Sequence, residues 1–212
     1  MTSSAEAQRA ERPRWGILGG TFDPIHYGHL VIAEQTRDEL ALAGVLFMPA
    51  AQPVHKPAAE PASAADRVAM IGLAIADNPR FALLAAEVER GGPSYSVDTM
   101  ERLVADRPDD RFVFIISAEN ARSFHTWRRP ERLLELCQVA IVNRLGYATR
   151  DRADLGERFG ALAERFLLVE SVELGHSASD IRARVGSGRT TRYLLPPSVE
   201  AYIAQHGLYR GR

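Results

Sequence analysis

The sequence predicts an α/β fold, an open and mainly parallel sheet flanked by helices, with a C-terminal helical part. Two observations carry this prediction. Six short runs are apolar on both faces, as strands covered by helices should be, and the windows between them place apolar residues at helical spacing. Such alternation implies parallel strands joined by right-handed crossovers.

The predicted strands follow one another along the chain as RWGIL (14–18), VLFMP (45–49), FALLA (81–85), RFVFII (111–116), VAIVN (139–143) and RFLLVE (165–170). Three helical windows separate the first four strands. They are HLVIAEQTRDELALAG, which ends at a glycine, ADRVAMIGLAIADNP, which ends before a proline, and SVDTMERLVADRP, which carries Val97, Met100 and Val104 on one face.

Composition limits the class of protein. With 212 residues, 46% of them apolar, the chain can bury one core, so we expect a single domain over residues 14–212 behind a disordered tail at 1–13. A net charge of −1 does not favour nucleic-acid binding. The lone Cys137 is expected as a buried hydrophobe, which suits a reducing cytoplasm. No apolar segment is long enough to span a membrane, and the N-terminal segment lacks a secretory signal.

The stretch AAQPVHKPAAEPASAA at 50–65 is rich in proline and alanine. Strand and helix alternation resumes directly after it, so we expect a mobile loop over a site and not a linker between domains.

The segment GGTFDPIHYGHL at 19–30 is the strongest candidate for chemistry. Gly19 and Gly20 end the first predicted strand, where a glycine permits close approach of a ligand or a positive φ angle. His26 and His29 straddle the start of the next helix, near Tyr27 or Gly28, and two imidazole donors beside a helix N-terminus suit a phosphate. The segment matches neither the dinucleotide nor the P-loop fingerprint. A tight turn with two incidental histidines stays open as the alternative.

GGTFDPIHYGH resembles the GGxFxPxHxGH signature of the HxGH nucleotidyltransferase superfamily, whose fold is Rossmann-like. Further segments resemble one branch of it, the bacterial nicotinate-nucleotide adenylyltransferases, in family order from Trp15 onward. They are MPAAQPVHK, RGGPSYSVDTMERL, FIISAENARSFHTWRRPERLLEL, VAIVNRLGY, HSASDIRARV and RYLLPPSVEAYIAQHGLY.

The resemblance implies adenylyl transfer from ATP, with bound Mg²⁺, to nicotinate mononucleotide, giving deamido-NAD and pyrophosphate. His26 and His29 would then donate to α-phosphate oxygens, and Lys56 would neutralise a phosphate. The remaining ATP contacts are expected from the first strand end and its turn (Gly19, Gly20, Thr21 and Phe22), from Ser117 and Glu119, and from the segment containing Ser177, Ser179 and Arg182.

On the acceptor side, the resemblance places Ser94, Tyr95 and Ser96 at a helix start whose amides would take the nicotinate carboxylate. Trp127 would stack on the pyridine ring, with plain core packing as the alternative. Two alternative functions stay open: transfer to another phosphorylated acceptor such as nicotinamide mononucleotide, and a nucleotide-binding homologue with weak catalysis. Assembly as a homo-oligomer is compatible with any of these functions.

The chain departs from the family pattern at two places. Relatives commonly have Gly-x-Asp after the fourth strand, where this chain has Ser117 and Glu119. We expect both changes to weaken adenosine binding, with Glu119 still reaching the ribose; a crevice roomy enough for both changes to be silent stays open as the alternative. In the ISSTxIR motif, His176 and Ala178 replace the usual Ile and the second Ser, which puts one hydroxyl contact in doubt.

Overall fold

The computed structural model describes residues 12–52, 62–143, 150–172, 174–175 and 177–210. Within these ranges six strands form one fully parallel sheet with the order β3-β2-β1-β4-β5-β6. The strands are β1 (Arg14–Gly20), β2 (Gly44–Pro49), β3 (Phe81–Leu83), β4 (Arg111–Ser117), β5 (Gln138–Asn143) and β6 (Phe166–Glu170). The predicted fold class is therefore confirmed.

Helices connect the strands and cover the sheet. They are α1 (Tyr27–Glu39), α2 (Ala64–Ile75), α3 (Ala86–Arg90), α4 (Ser96–Asp106), α5 (Ala118–Ser123), α6 (Pro130–Leu136), α7 (Arg150–Phe159), α8 (Ala178–Gly186) and α9 (Pro197–Gln205). Two 3₁₀ segments, Phe124–Thr126 and Gly160–Arg165, follow α5 and α7.

Two apolar clusters lie on opposite faces of the sheet because successive strand side chains alternate between faces. On one face, Leu18 and Ile115 of the central strands share a cluster with residues of α1, α2, α8 and α9. On the other face, Ile17 and Phe114 share a cluster with residues of α4, α6 and α7. The C-terminal helices α8 and α9 thus return to the face that α1 and α2 cover.

The end of one helix differs from the sequence prediction. Helix α1 ends at Glu39 and not at Gly44, because Ala41 takes the left-handed conformation (φ 49°) and breaks the helix earlier. Gly44 opens β2 instead, where a Cβ would lie 2.4 Å from the Arg80 carbonyl oxygen. Helix α2 ends at Ile75, short of Pro79.

Several smaller predictions can be placed in the structure. Cys137 is buried at 1% exposure, as expected, and burial raises the pKa of its thiol to about 12. Of the predicted tail, Arg12 donates to the Pro108 carbonyl oxygen at 3.1 Å, whereas residues 1–11 lie outside the described residues. Among the described helices, none is both long and apolar enough to cross a membrane.

Candidate active site

The candidate site lies where the strand order reverses, between β1 and β4. Ligands of open parallel sheets bind beyond the carboxyl ends of the strands at this point, because the flanking loops diverge there and leave a crevice. Gly20 ends β1 and Ser117 ends β4, so the predicted segments 19–30 and 117–119 both begin at this crevice.

The two histidines form a reciprocal cap at the start of α1. The Nδ1 atom of His26 accepts from the Gly28 amide at 3.1 Å, and Nδ1 of His29 accepts from the His26 amide at 3.3 Å. The rings are nearly stacked, with centroids 3.8 Å apart and planes inclined by 33°. The spacing of three residues therefore brings both imidazoles together, as predicted.

This cap also fixes which nitrogen carries the proton. A neutral imidazole whose Nδ1 accepts a hydrogen bond carries its proton on Nε2, so each ring has an Nε2–H donor. Both donors belong to the first turn of a helix, where the positive end of the macrodipole favours an anion. The arrangement is chemically suited to phosphate oxygens.

Gly28 is a site residue whose role the sequence did not reveal. A Cβ at this position would lie 2.8 Å from Cε1 and 2.9 Å from Nδ1 of His26. The ring of His26 therefore occupies the space that a side chain would need. The glycine between the two histidines allows the cap to form.

Gly19 and Gly20 do not show the positive φ that was one of the two alternatives predicted for them. That conformation falls on Phe22, with φ 52°. A Cβ on Gly19 would lie 3.1 Å from the Phe114 ring, and one on Gly20 would lie 3.2 Å from the Phe22 ring. Both glycines thus make room for aromatic side chains, and Phe22 in turn packs edge-on against His29 with centroids 5.0 Å apart.

Arg67 of α2 is a second residue that the sequence did not single out. It is 3% exposed, and its guanidinium donates to three carbonyl oxygens: Thr21 at 2.8 Å, Ala51 at 3.3 Å and Ala62 at 3.3 Å. Burial lowers the pKa of this guanidinium, and the nearby Asp23 opposes that change. Arg67 ties the turn after β1 to the segments around 51 and 62.

The second predicted anion site is the start of α8. Ser177 caps the helix by accepting from the Asp180 amide at 3.1 Å, and its hydroxyl donates to the Asp180 carboxylate at 2.8 Å. Ser179 accepts from Arg182 Nη2 at 3.2 Å, while Arg182 Nη1 donates to the Asp23 carbonyl oxygen at 2.6 Å. The contact with Asp23 joins α8 to the segment that contains both histidines.

The residues predicted for the acceptor line one cleft. Its walls are formed by Ser94, Tyr95, Ser96, Val97, Trp127 and Arg128. Trp127 is half-buried and packs edge-on against Phe114, with centroids 6.0 Å apart, so it serves both the core and the cleft. Since the same Phe114 ring faces Gly19, one aromatic side chain of β4 connects the cleft to the end of β1.

Arg128 was not predicted, yet it gives the cleft a cationic wall. Its guanidinium lies over the Tyr95 ring at 4.6 Å and donates to Asp98 at 3.3 Å. A guanidinium stacked on an aromatic ring keeps its charge and is held in one orientation. The cleft therefore presents an aromatic face, a cation and the first amides of α4.

The Ser94 hydroxyl is already used within the protein. It accepts from the Ala51 amide at 2.8 Å and hydrogen-bonds the buried carboxyl of Glu87. Burial raises the pKa of Glu87, although hydrogen bonds from Ser94 and Thr99 act in the opposite direction. Ser94 thus supports the wall of the cleft.

Ser117 and Glu119 lie at the carboxyl end of β4, as predicted. Ser117 is the N-cap of α5 and accepts from the Asn120 amide at 3.3 Å, and Glu119 is in the first turn of that helix. Lys56, predicted to neutralise a phosphate, lies outside the described residues. Among the residues that are described, no group of three potential metal-ligating side chains occurs.

Such a site, at the switch point of a parallel sheet with the order β3-β2-β1-β4-β5-β6, defines the class of α/β nucleotide-binding proteins. Residues 17–184 match the family model described as cytidylyltransferase-like. A relative from Thermomicrobium roseum is 44% identical over 197 residues, which cover 93% of this chain and 92% of the relative. One from Roseiflexus sp. (strain RS-1) is 45% identical over 195 residues, covering 92% and 97%. Both are named "Probable nicotinate-nucleotide adenylyltransferase".

The chain therefore belongs to the cytidylyltransferase-like family, in the branch of these nicotinate-nucleotide adenylyltransferase relatives, and the resemblance seen in the sequence is confirmed. A solved structure of Plasmodium falciparum nicotinic acid mononucleotide adenylyltransferase complexed with NaAD shares the fold. Its TM-score is 0.76 at 18% identity, and the match covers 93% of this chain and 97% of that one.

Proposed function

We propose that this chain transfers the adenylyl group of ATP to nicotinate mononucleotide, giving deamido-NAD and pyrophosphate. One observation carries the proposal. The sequence predicts that residues 94–96 and Trp127 bind an acceptor with a pyridine ring and a carboxylate, and these residues line one cleft although they are far apart in the sequence. Phe114 connects that cleft to the strand end that precedes the histidine cap.

The proposed chemistry needs positioning more than it needs a protein nucleophile. The 5′-phosphate of the acceptor attacks the α-phosphate of ATP in line, and negative charge grows on the equatorial oxygens. The Nε2–H groups of His26 and His29 would donate to those oxygens from the start of α1. Arg182 and the start of α8 would hold the leaving pyrophosphate portion.

Acceptor choice would follow from charge. The first hydrogen bond of α4 runs from the Asp98 amide to the Tyr95 carbonyl oxygen. The amides of Ser96 and Val97 come before it, so they are helix N-terminal donors to which a ligand can bind. These amides and Arg128 suit a carboxylate. The NH₂ of a nicotinamide would face donors and leave one of them unpaired, at a cost of about 1 to 3 kcal/mol.

We propose that Mg²⁺ accompanies ATP, without a set of protein ligands of its own among the described residues. The imidazole and guanidinium groups of the site donate hydrogen bonds to anions, so the ion would be held by ATP oxygens and water. When bound, it would neutralise phosphate charge. We further propose that the protein acts in the cytoplasm. The proposed function requires neither nucleic-acid binding nor assembly as a homo-oligomer.

The test of function is turnover of the purified protein with ATP, Mg²⁺ and nicotinate mononucleotide, followed as pyrophosphate release and as deamido-NAD formed. Nicotinamide mononucleotide is assayed in parallel. We expect a higher kcat/KM for the acid. Equal values would show that the cleft does not read the carboxylate, and no turnover with either would favour a nucleotide-binding homologue.

His29→Ala tests the catalytic assignment. Removing a donor that strengthens as charge develops should lower kcat by roughly 100-fold or more, with the fold intact. His125→Ala is the matched control, because His125 is exposed and lies in the 3₁₀ segment after α5. A folded His29→Ala protein with the kcat of the control would remove this mechanism.

A further inference from the structure

Asp23 is a buried carboxylate in the same segment as the histidine cap. The hydrogen bonds of its side chain go to Ala62 and Tyr209, which lie in other parts of the chain. Asp23 is 2% exposed and lies between β1 and α1. Its Oδ1 accepts from the Tyr209 hydroxyl at 2.6 Å and from the Ala62 amide at 3.0 Å. Its Oδ2 has no hydrogen-bond partner and lies 3.7 Å from Arg182 Nη1. One oxygen is therefore anchored and the other faces a cation.

Arg182 is held by the same residue through a second atom. Its Nη1 donates to the Asp23 backbone carbonyl at 2.6 Å, and its Nη2 donates to Ser179 Oγ at 3.2 Å. An arginine side chain has many rotamers, and a guanidinium fixed at two nitrogens has lost most of them before a ligand arrives. The Arg182 side chain is still 27% exposed, so it remains accessible to a ligand.

Tyr209 determines how the Asp23 carboxylate is turned. Burial, and the hydrogen bond to Asp23, raise the pKa of the Tyr209 hydroxyl, so it stays a donor at every pH at which the protein would work. By holding Oδ1, this hydroxyl directs Oδ2 towards Arg182. Without it, the carboxylate could rotate and would lose its strongest neutral donor.

We propose that Asp23, oriented by the hydroxyl of Tyr209, is a positioning residue that holds Arg182 ready for the phosphates of ATP. The inference rests on the proposed function, since it takes Arg182 as an ATP ligand. In this proposal Tyr209, near the C-terminal end of the described residues, orients Asp23 and does not itself contact substrate.

The experiment compares two tyrosines that each donate to an aspartate from the C-terminal region. Tyr209→Phe removes the bond to Asp23, and Tyr202→Phe, the matched control, removes a bond of 3.0 Å to Asp66. ATP affinity is measured directly by calorimetry, together with Tm and the KM of both substrates. Tyr209→Phe should weaken ATP binding about 10-fold, the loss expected when one charge-assisted contact is weakened, and leave the KM for nicotinate mononucleotide unchanged.

Tyr202→Phe should lower Tm without changing ATP affinity. Equal ATP affinity in the two variants would overturn the inference, and so would a Tyr209→Phe protein in which both substrates are affected alike. Because ATP affinity is measured without turnover, these outcomes differ from the failure of the proposed function, which would show as no pyrophosphate release by the unaltered protein.

A double-mutant cycle separates positioning from general support. Asp23→Asn keeps the size of the side chain and removes its charge, and we expect it to weaken ATP binding about 10-fold in the natural background. In an Arg182→Ala background the same change should have no further effect, because the residue through which it acts is gone. Full additivity of the two changes would show that Asp23 acts independently of Arg182 and would overturn the inference.

Discussion

At the residue scale, the histidine cap depends on a position that has no side chain. The ring of His26 lies where a Cβ of residue 28 would be, 2.8 Å away at the nearest atom. Alanine is the better helix former by roughly 0.5 to 1 kcal/mol, so helix propensity does not explain a glycine at position 28. The residue therefore serves the orientation of an imidazole.

Gly28→Ala should displace the His26 ring and lower kcat about 10-fold or more, because donors aimed at a transferring phosphate tolerate little movement. Gly72→Ala in α2 is the matched control: nothing lies within 4 Å of its Cβ, so it should raise stability by roughly 0.5 to 1 kcal/mol and leave kcat unchanged. Steady-state kinetics and thermal unfolding measure both. An unaltered kcat in Gly28→Ala would contradict the role given to the glycine.

Glu87 gives a prediction about pH. Burial raises its folded pKa above the ordinary value of 4.5, so the folded protein holds this proton more tightly than the unfolded chain does. Its contribution to stability is fully present below pH 4.5 and is lost as the pH rises through the higher folded value. Glutamine at position 87 cannot ionise. The Tm of the Glu87→Gln protein, measured relative to that of the natural protein, should therefore increase as the pH rises from about 4 to about 7.

Glu101→Gln is the control for this series. Hydrogen bonds from Arg129 and Arg132 lower the pKa of Glu101 below its ordinary value of 4.5. Its contribution to the stability of the folded protein is therefore present above pH 4.5 and is lost as the pH falls, which is the reverse of the dependence expected for Glu87. The Glu101 side chain is 34% exposed, so solvent screens its ion pairs and its effect should be small. If the Tm difference between Glu87→Gln and the natural protein does not vary with pH, the carboxyl of Glu87 is not held in its neutral form.

Site residues differed in how far the sequence could reveal them. His26 and His29 were predicted to act together because helical spacing is local, and a separation of three residues places both rings on one turn. Arg67 and Tyr209 were missed because the bonds that connect them to the turn after β1, from Arg67 to Thr21 and from Tyr209 to Asp23, span 46 and 186 residues. A single sequence contains no local pattern that records such pairings.

At the scale of elements, strands were predicted better than helix ends. The central strands β1, β2 and β4 are buried on both faces along their middle residues, so their apolar runs are continuous and their centres are unambiguous, whereas the edge strand β3 is only partly buried. The end of α1 depends on Ala41 adopting a positive φ, a backbone choice made by packing and not by residue type. The short helices α3, α5 and α6 have 5, 6 and 7 residues, too few for a helical period to show.

The first departure from the family pattern, Ser117 and Glu119, lies at the start of helix α5. The local structure shows what a change at Ser117 would cost. Ser117 caps the helix, so the side chain that would crowd the adenosine ribose also satisfies a backbone amide. Changing Ser117→Gly costs only a few tenths of a kcal/mol as a cap replacement. The helix should therefore survive the change.

The double change Ser117→Gly with Glu119→Asp should lower the KM for ATP and leave the acceptor KM as it was, because both positions lie at the end of β4 where a ribose would approach. Initial rates at varied ATP measure it. If the KM for ATP is unaltered or higher, the chain has its own adenosine pocket and the family roles of these two residues do not apply.

At the scale of the whole molecule, the sheet order places the first and fourth strands side by side at its centre. The C-terminal helices then return to the face of the first half, where the Ser198 hydroxyl donates to the Leu73 carbonyl oxygen at 3.1 Å. Residues of the first and last parts of the described chain also meet at the proposed ATP site, where Arg182 and Tyr209 donate to Asp23. Ligand binding there should stabilise the molecule as a unit.

Each substrate should therefore raise Tm on its own. A ligand at 100 times its Kd stabilises the folded state by about 2.7 kcal/mol, which corresponds to several degrees for a chain of this size. Thermal unfolding with ATP and Mg²⁺, with nicotinate mononucleotide, and with nicotinamide mononucleotide compares the three. A larger shift with the amide than with the acid would contradict the proposed acceptor.

The hydrogen bond between Tyr209 and Asp23 joins residues 186 positions apart, and this has a consequence for synthesis. A ribosome makes residue 23 early, and at roughly 5 to 20 residues per second the sheet can assemble while later residues are still being added. The buried carboxylate of Asp23 cannot meet its tyrosine until residue 209 has left the exit tunnel. A nascent chain would thus form its histidine cap before it can orient Arg182, and competence for adenylyl transfer would follow only once Tyr209 has emerged and bound Asp23.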